Sequence, residues 1–174
     1  MSSSQDSPSL PSGTDPENAL ILRTTRGDVI VALRNDIAPG HAERLKMLAR
    51  EQFYDDVPFH RVIDGFMAQT GDGQNFDGTG HSSHPNVPDE FSSVSFTRGT
   101  VGMASTSAPN SSNSQFFICF DNASFLDGKY SVVGEVVSGM DVADKLKKAP
   151  PGSQSGAVTD PDKMVKVQVA SDIK

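Results

Sequence analysis

Between residues 19 and 170 the chain repeatedly interrupts short apolar runs with Gly, Asn, Ser and Asp. Short apolar runs bounded by such turn residues are typical of β-strands. The segments of this kind are 19–25, 28–34, 59–64, 66–70, 100–104, 115–120, 130–137 and 164–170. This spacing predicts a mainly β protein in which most of the chain folds into one sheet system.

The first two runs are predicted to form a β-hairpin, because only the dipeptide Arg26-Gly27 separates them. A two-residue turn that contains Gly fits between antiparallel strands. The tripeptide Arg26-Gly27-Asp28 is also a cell-adhesion motif, so a displayed adhesion protein is an alternative that would need a route of export. The hairpin turn accounts for these residues by itself, and we favour it.

Two segments have helical rather than strand-like patterns. Residues 39–51 begin with Pro39, which suits a first helical turn, and they repeat apolar residues at helical spacing. Residues 138–148 are the second candidate, with Ser138 as the predicted cap and Pro150 beyond the end. Eight strands and two helices predict a closed eight-stranded antiparallel β-barrel capped by two α-helices. A two-sheet sandwich is the alternative.

The length of 174 residues predicts a single domain. Residues 1–18 consist mainly of Ser, Pro, Asp, Gly and Thr, with Leu10 as the only large apolar residue after Met1. Such a segment buries too little apolar surface to offset the entropy of ordering, so we expect a disordered leader over residues 1–18. The folded domain is expected over residues 19–174.

Charge and apolar content restrict the partners and the location. The net charge is −7, which opposes broad binding to nucleic acid or to an anionic membrane. No apolar run approaches the roughly 20 residues needed to span a bilayer, and the N-terminal segment has no secretory pattern. We therefore expect a cytoplasmic protein. The single cysteine, Cys119, excludes an internal disulfide and is predicted to be an inert core residue.

The usual signatures of nucleotide, metal or nucleophilic sites are missing from the sequence. His81 and His84 have the spacing of metal ligands, but they lie in the long, polar and Gly-rich stretch 71–88. Asp72, Asn75 and Asp77 do not follow the calcium-loop pattern. We read this stretch as a solvated loop, and we predict neither a metal nor a cofactor.

Three sequence blocks stand out when they are taken together: FHRVIDGFMAQTGD at 59–72, SQFFICF at 114–120 and FLDGKYSVVGEVVSGMDVADKL at 125–146. Each block alone has an ordinary structural interpretation, which for the first block is a half-buried strand whose Arg61 keeps its charged head in water. In this order and spacing they resemble the cyclophilins, a family of peptidyl-prolyl cis-trans isomerases, and in particular the bacterial type. The resemblance covers about residues 19–170 and implies the closed barrel described above.

The resemblance also implies the site. Arg61 matches the catalytic arginine of the family and Gln69 the glutamine that accompanies it. The residues that match the proline pocket are Phe66, Met67, Phe117 and Leu126. Ala104 and Gln115 match groove-lining positions, and Ser105 matches the position whose backbone contacts the substrate peptide. The segment between Met103 and Pro109 is one residue longer than the common eukaryotic pattern.

Two groove positions depart from the family pattern. Phe125 stands where cyclosporin-sensitive members have Trp, so we predict weak cyclosporin binding. Tyr130 replaces a groove histidine. The resemblance implies an isomerase that acts on proline-containing peptides and on unfolded or folding proteins. We expect a monomer, because nothing in the sequence marks a large apolar patch. The alternative is a proline-binding adaptor or holdase on the same fold, for which turnover is unimportant.

Overall fold

The computed structural model describes residues 9–173, whose strands form one antiparallel sheet. Its nine strands are β1 Ala19–Thr24, β2 Gly27–Leu33, β3 Val57–Pro58, β4 Arg61–Ile63, β5 Met67–Thr70, β6 Thr100–Met103, β7 Phe116–Cys119, β8 Val132–Ser138 and β9 Lys163–Val169. Their order in the sheet is β3-β9-β1-β2-β8-β6-β7-β5-β4. The prediction of a mainly β, antiparallel fold is confirmed.

The strand count differs from the prediction of eight. The additional strand is β3, which pairs only Val57 and Pro58 with β9. Two residues that include a proline give no strand pattern in the sequence, and Pro is accepted there because β3 lies at an edge of the sheet. The other edge strand is β4, which follows β3 in the chain after Phe59 and His60. The sheet must therefore curl until its two edges are neighbours.

Helix α1, Pro39–Arg50, lies where the sequence predicts it. The Glu90 carboxylate accepts hydrogen bonds from the backbone N–H groups of Gly40 (3.1 Å) and His41 (2.9 Å), and so caps the first turn. The buried apolar residues of the helix are Ala42, Leu45, Leu48 and Ala49. They pack into the main core with the inward side chains of the sheet.

Helix α2 is shorter than predicted. It covers only Met140–Ala143, whereas the sequence pattern predicts a helix over residues 138–148. Ser138 is the last residue of β8 and not the cap, because the chain turns at Gly139, which has φ +90°. A Cβ at Gly139 would lie 2.3 Å from the Asp28 carbonyl oxygen, so the close approach of β2 fixes where the helix begins.

The N-terminal segment is described only in part. Residues 1–8 lie outside the described residues, so the disordered leader stays a prediction. Within the described part, Pro16–Asn18 forms a turn of 3-10 helix. Glu17 pairs there with Lys46 at 3.4 Å and Arg50 at 3.3 Å. Leu10 packs on a small apolar cluster of β1, β2 and the C-terminal turn.

The predicted β-hairpin of β1 and β2 is confirmed, and their register pairs Thr24 with Gly27. Arg26 in the turn donates from Nε to both carboxylate oxygens of Asp162, each at 3.0 Å. The turn is therefore Thr25-Arg26, one residue earlier than the predicted Arg26-Gly27. Of the adhesion tripeptide only Arg26 lies in the turn, where it is paired with Asp162 just before β9, while Gly27 and Asp28 belong to β2. Within residues 9–173, no helix has the length and apolar character required to cross a membrane.

The tyrosine that follows α1 offers a test of how the core is tied together. Tyr54 is fully buried, and its hydroxyl donates to the Ser114 carbonyl oxygen at 2.7 Å. We expect Tyr54→Phe to lower the free energy of unfolding by about 1–3 kcal/mol, because the carbonyl loses its buried donor. Urea unfolding followed by circular dichroism measures this, and a midpoint equal to that of the wild type would contradict it.

Candidate active site

Strand register places four residues side by side on the outer face of the sheet. Arg61 of β4 pairs with Gln69 of β5, Gln69 with Phe117 of β7, and Phe117 with Gly102 of β6. Because side chains alternate between the two faces of a strand, the neighbours Ala68, Phe116 and Val101 point into the main core instead. The site is therefore built on the outside of the curled sheet.

Arg61 is held from two sides. Its Nη1 donates to Gln69 Oε1 at 3.2 Å, and its Nε donates to the Ser155 carbonyl oxygen at 3.0 Å. Gly156 allows the second contact, because a Cβ there would lie 2.9 Å from Cγ of Arg61. Within the described part of the chain, Nη2 has no hydrogen-bond partner, so the guanidinium keeps donors for a further group.

A pocket of about 160 Å³ opens next to the guanidinium. Its walls combine Arg61 and Gln69 with most of the residues predicted for the proline pocket and the groove. The residues that line it are Arg61, Phe66, Met67, Gln69, Ala104, Ser105, Phe117, Leu126 and Tyr130. Two of the predicted residues, Phe125 and Gln115, lie outside this pocket and contact its margins instead.

The floor of the pocket depends on two residues that the sequence analysis missed. The Phe96 ring stacks on Phe117 with centroids 5.7 Å apart. A Cβ at Gly102 would lie 2.5 Å from the Phe96 ring and 2.6 Å from the Phe117 ring, so only glycine leaves room for the stack. The glycine within the apolar run 100–104 was the available signal, because a strand glycine often marks a close approach.

Two aromatic side chains form the rim of the pocket. Phe125 is 62% exposed, and its ring lies 5.5 Å from the Phe66 ring. Tyr130 meets Phe117 edge to face, with centroids 5.9 Å apart. Exposure of a large ring at the mouth of an apolar pocket is typical of a ligand-binding surface rather than of packing.

A larger cavity of about 360 Å³ adjoins the apolar pocket, and both are lined by Gln69, Ala104 and Ser105. The other residues of the larger cavity come from two loops and are Gly78, Thr79, Gly80, His81, Asn86, Thr106, Ala108, Ser111, Asn113, Ser114 and Gln115. Gln115 thus belongs to the larger cavity, where its Nε2 donates to the carbonyl oxygens of Gly78 and Gly80, each at 2.9 Å. The two cavities form one groove, with an apolar half beside Arg61 and a half lined mainly by polar and small residues of the loops.

The loop after β5 is ordered around Asp72, a residue that the sequence analysis discounted. The carboxylate is fully buried and accepts five backbone hydrogen bonds, from Gln74, Asn75, Asp77, Gly78 and Gly80. Burial alone would raise the pKa, but the backbone donors outweigh it and lower the pKa of Asp72 to about 2. The carboxylate is therefore ionised at any physiological pH.

The other residues considered from the sequence, Cys119, His81 and His84, do not line the apolar pocket. Cys119 lies fully buried beneath the pocket floor, and burial raises the pKa of its thiol to about 12. His84 Nε2 lies 2.9 Å from a Glu51 carboxylate oxygen, and His81 Nδ1 lies 2.7 Å from the Ser82 carbonyl oxygen. Among residues 9–173, no group of three or more His, Cys, Asp or Glu side chains is arranged to hold a metal ion.

Comparison with known proteins agrees with this geometry. The family model for the cyclophilin type peptidyl-prolyl cis-trans isomerases matches residues 19–169. A probable peptidyl-prolyl cis-trans isomerase of Brucella suis is 53% identical over 173 residues, which cover 94% of this chain and 88% of the relative. A cyclophilin structure from Hirschia baltica is similar with a TM-score of 0.82 and 29% identity, covering 92% of this chain and 77% of the other.

A second solved structure bears on the groove. It is a cyclophilin type isomerase of Cryptosporidium parvum crystallised in the presence of the dipeptide Ala-Pro. It has a TM-score of 0.79 and 26% identity, and the match covers 87% of this chain and 98% of the other. The family suggested by the three sequence blocks is confirmed. The chain belongs to the cyclophilin-type peptidyl-prolyl cis-trans isomerases, and its activity is the cis-trans isomerisation of X–Pro bonds.

Proposed function

We propose that the apolar pocket receives the proline ring of the substrate and that Arg61 acts on the imide nitrogen of that proline. The observation that supports this is the position of the guanidinium, which lines the same pocket as Phe66, Phe117 and Leu126. Gln69 and the Ser155 carbonyl hold two of its N–H donors and leave others for the substrate. Arg61 and Gln69 are the proposed catalytic pair.

The rate gain that the site must supply is modest. Rotation about a peptide bond has a barrier of about 18–20 kcal/mol, and uncatalysed X–Pro exchange takes roughly 10–100 s at 25 °C. A turnover of about 1–10³ s⁻¹ requires the barrier to fall by at most about 7 kcal/mol. Hydrogen bonding and positioning reach this magnitude without a covalent intermediate.

Arg61 stabilises the twisted transition state rather than the planar substrate. As the X–Pro bond rotates, amide resonance is lost and the proline nitrogen becomes pyramidal and a better hydrogen-bond acceptor. A guanidinium N–H that donates to this nitrogen therefore binds the transition state more strongly than the ground state, which is the condition for acceleration. The walls formed by Met67 and Phe117, which are 3% and 4% exposed, exclude water and strengthen that hydrogen bond.

The groove holds one side of the bond while the other side rotates. Ala104 and Ser105 lie between the two cavities, where the Ser105 backbone is placed to hold the peptide that flanks the proline. Gln115 and Tyr130 line its two halves. The Cryptosporidium parvum relative crystallised with Ala-Pro supports proline-containing peptides, and with them folding proteins, as the substrates.

A closed barrel would keep this site rigid. Hydrogen bonds between the chain that leads into β9 and the edge strand β4 support such closure. Residues 156–158, which precede β9, lie along β4: Val62 N–H donates to the Gly156 carbonyl oxygen at 3.0 Å, and Val158 N–H to that of His60 at 3.1 Å. They join the two sides of the sheet next to Arg61. The monomeric state, the cytoplasmic location and the extent of the domain stay predictions from the sequence.

The adaptor or holdase alternative is not favoured. A protein that only binds proline needs the apolar pocket and the exposed Phe125 rim, but it gains nothing from an arginine aimed at the imide. Here Gln69 and Ser155 hold the Arg61 guanidinium in one orientation. Such restraint of a charged side chain costs conformational entropy and serves a reaction that depends on its direction.

The role of Arg61 predicts the effect of its removal. We expect Arg61→Ala to lower turnover of an Ala-Pro peptide by at least about tenfold, with an unchanged circular dichroism spectrum, because the donor to the imide nitrogen is lost. Arg61→Lys should recover little, since an ammonium lacks the planar fork. Arg34→Ala, which removes a surface arginine paired with Asp36, is the control. Activity of Arg61→Ala within about twofold of wild type would refute the role.

The role of Gly102 predicts a steric effect on the pocket. In Gly102→Ala the new methyl must displace the Phe96 or the Phe117 ring, so we expect kcat/KM for proline peptides to fall by about tenfold. Adding Phe96→Leu makes room behind Phe117 and should restore most of the loss. A double variant as impaired as Gly102→Ala alone would show that the stack does not set the pocket floor.

The rim predicts the response to cyclosporin. Phe125 has no hydrogen-bond donor, whereas an indole N–H can donate from the same place. We expect weak inhibition of the wild type by cyclosporin and roughly two- to tenfold stronger inhibition of Phe125→Trp, because one hydrogen bond between uncharged groups contributes about 0.5–1.5 kcal/mol. Titration of the isomerase assay with the drug measures both, and nanomolar inhibition of the wild type would contradict the prediction.

A further inference from the structure

Asp72 is a buried charge with an unusual set of partners. Its Oδ1 accepts from the backbone N–H groups of Gln74 at 3.0 Å and Asn75 at 2.8 Å. Its Oδ2 accepts from Asp77 at 3.2 Å and from Gly78 and Gly80 at 2.9 Å. A single side chain thus accepts from five of the seven backbone N–H groups of residues 74–80, and so fixes the shape of the loop.

Glycine is required in this loop for the same reason. A Cβ at Gly80 would lie 2.4 Å from Asp72 Oδ1, and a Cβ at Gly78 would lie 2.8 Å from His60 Nε2. Gly78 also has φ +97°, which other residues rarely adopt. The loop is therefore pressed between Asp72 and His60, and its carbonyl groups are directed toward β7.

Those carbonyl groups begin a chain of hydrogen bonds that ends at Arg61. The oxygens of Gly78 and Gly80 accept from Gln115 Nε2, each at 2.9 Å. Gln115 Oε1 accepts from Gln69 Nε2 at 3.0 Å. Gln69 Oε1 then accepts from Arg61 Nη1 at 3.2 Å.

The direction of this chain is set by its two ends. Backbone carbonyls can only accept and a guanidinium can only donate, so both amides must point their NH₂ groups toward the loop and their oxygens toward Arg61. If the loop carbonyls moved away, Gln115 would lose the hydrogen-bond acceptors that fix the orientation of its amide. Gln69 could then present either end of its amide to Arg61, and the NH₂ end would repel the guanidinium.

We propose that Asp72 is a positioning residue for isomerisation, acting on Arg61 through the loop carbonyls, Gln115 and Gln69. This inference rests on the proposed role of Arg61 and extends it to a side chain that touches neither the pocket nor the substrate. Asp72 holds the loop, the loop orients the two amides, and the amides direct the guanidinium at the imide nitrogen.

The test is a double-mutant cycle between Asp72→Asn and Gln69→Leu, measured as kcat and KM on an Ala-Pro peptide. In Asp72→Asn the amide NH₂ faces N–H donors, so part of the loop is released. We expect kcat to fall about tenfold in the wild-type background. In the Gln69→Leu background the same change should alter kcat by less than about twofold, because the connection to Arg61 is already broken.

Asp77→Asn is the matched control. The substitution lies in the same loop and also removes one negative charge. Among residues 9–173, however, the Asp77 carboxylate accepts only from Thr79, from its backbone N–H at 3.0 Å and from its hydroxyl at 2.6 Å. Its kcat should stay near that of the wild type. Equal losses from Asp72→Asn with and without Gln69 would overturn the proposal, because they would show a general effect on the fold.

A second variant covers the case in which Asp72→Asn does not fold. Gln115→Met leaves the Asp72 loop intact and breaks the chain at its middle, and it should show the same lack of additivity with Gln69→Leu. Additive losses there would also overturn the proposal. Arg61→Ala is measured alongside. If this variant retains activity, the proposed function of Arg61 fails as well. If it is inactive and the double-mutant cycle is additive, only the role of Asp72 is rejected.

Discussion

The register between β4 and β5 is the constraint on which the site depends. It places Arg61 opposite Gln69 on the outer face, with Met67 on the same face and Ala68 in the core. A slip of one residue would turn the guanidinium inward and the apolar core residues outward, at a large cost in burial. The same hydrophobic effect that fixes the sheet therefore fixes the direction of Arg61, the proposed catalytic residue.

Function and stability consequently occupy opposite faces of the same strands. In β7 the side chains of Phe116 and Ile118 fill the main core, while Phe117 forms the pocket and Cys119 lies beneath it. The outer face is itself packed, through Phe96, before any substrate arrives. A pocket with a preformed floor loses little entropy on binding, which suits a reaction whose catalysis rests on orientation rather than on covalent chemistry.

The sequence predicts those parts of the fold and site that are local in the chain. The β1–β2 hairpin, helix α1 and the strand with Arg61 follow from periodicity and turn residues, although the turn itself lies one residue earlier than predicted. The sequence blocks contain most of the residues that line the apolar pocket. The two-residue strand β3 and the short α2 could not be predicted, because a distant partner decides each of them: β9 pairs with Val57, and β2 presses on Gly139. Phe96 was missed for the same reason, since its role exists only across the sheet from Phe117.

Asp72 has a structural role although it belongs to no ligand-binding motif. Its sequence neighbours exclude a calcium loop, yet the residue holds a charge in the interior because five backbone N–H groups replace water around it. Uncharged polar groups also hold the Arg61 guanidinium from two sides. The linked amides of Gln69 and Gln115 lie on one side, and the Ser155 carbonyl lies on the other. None of these groups neutralises Arg61, so its positive charge remains available to the pocket that we propose receives the substrate proline.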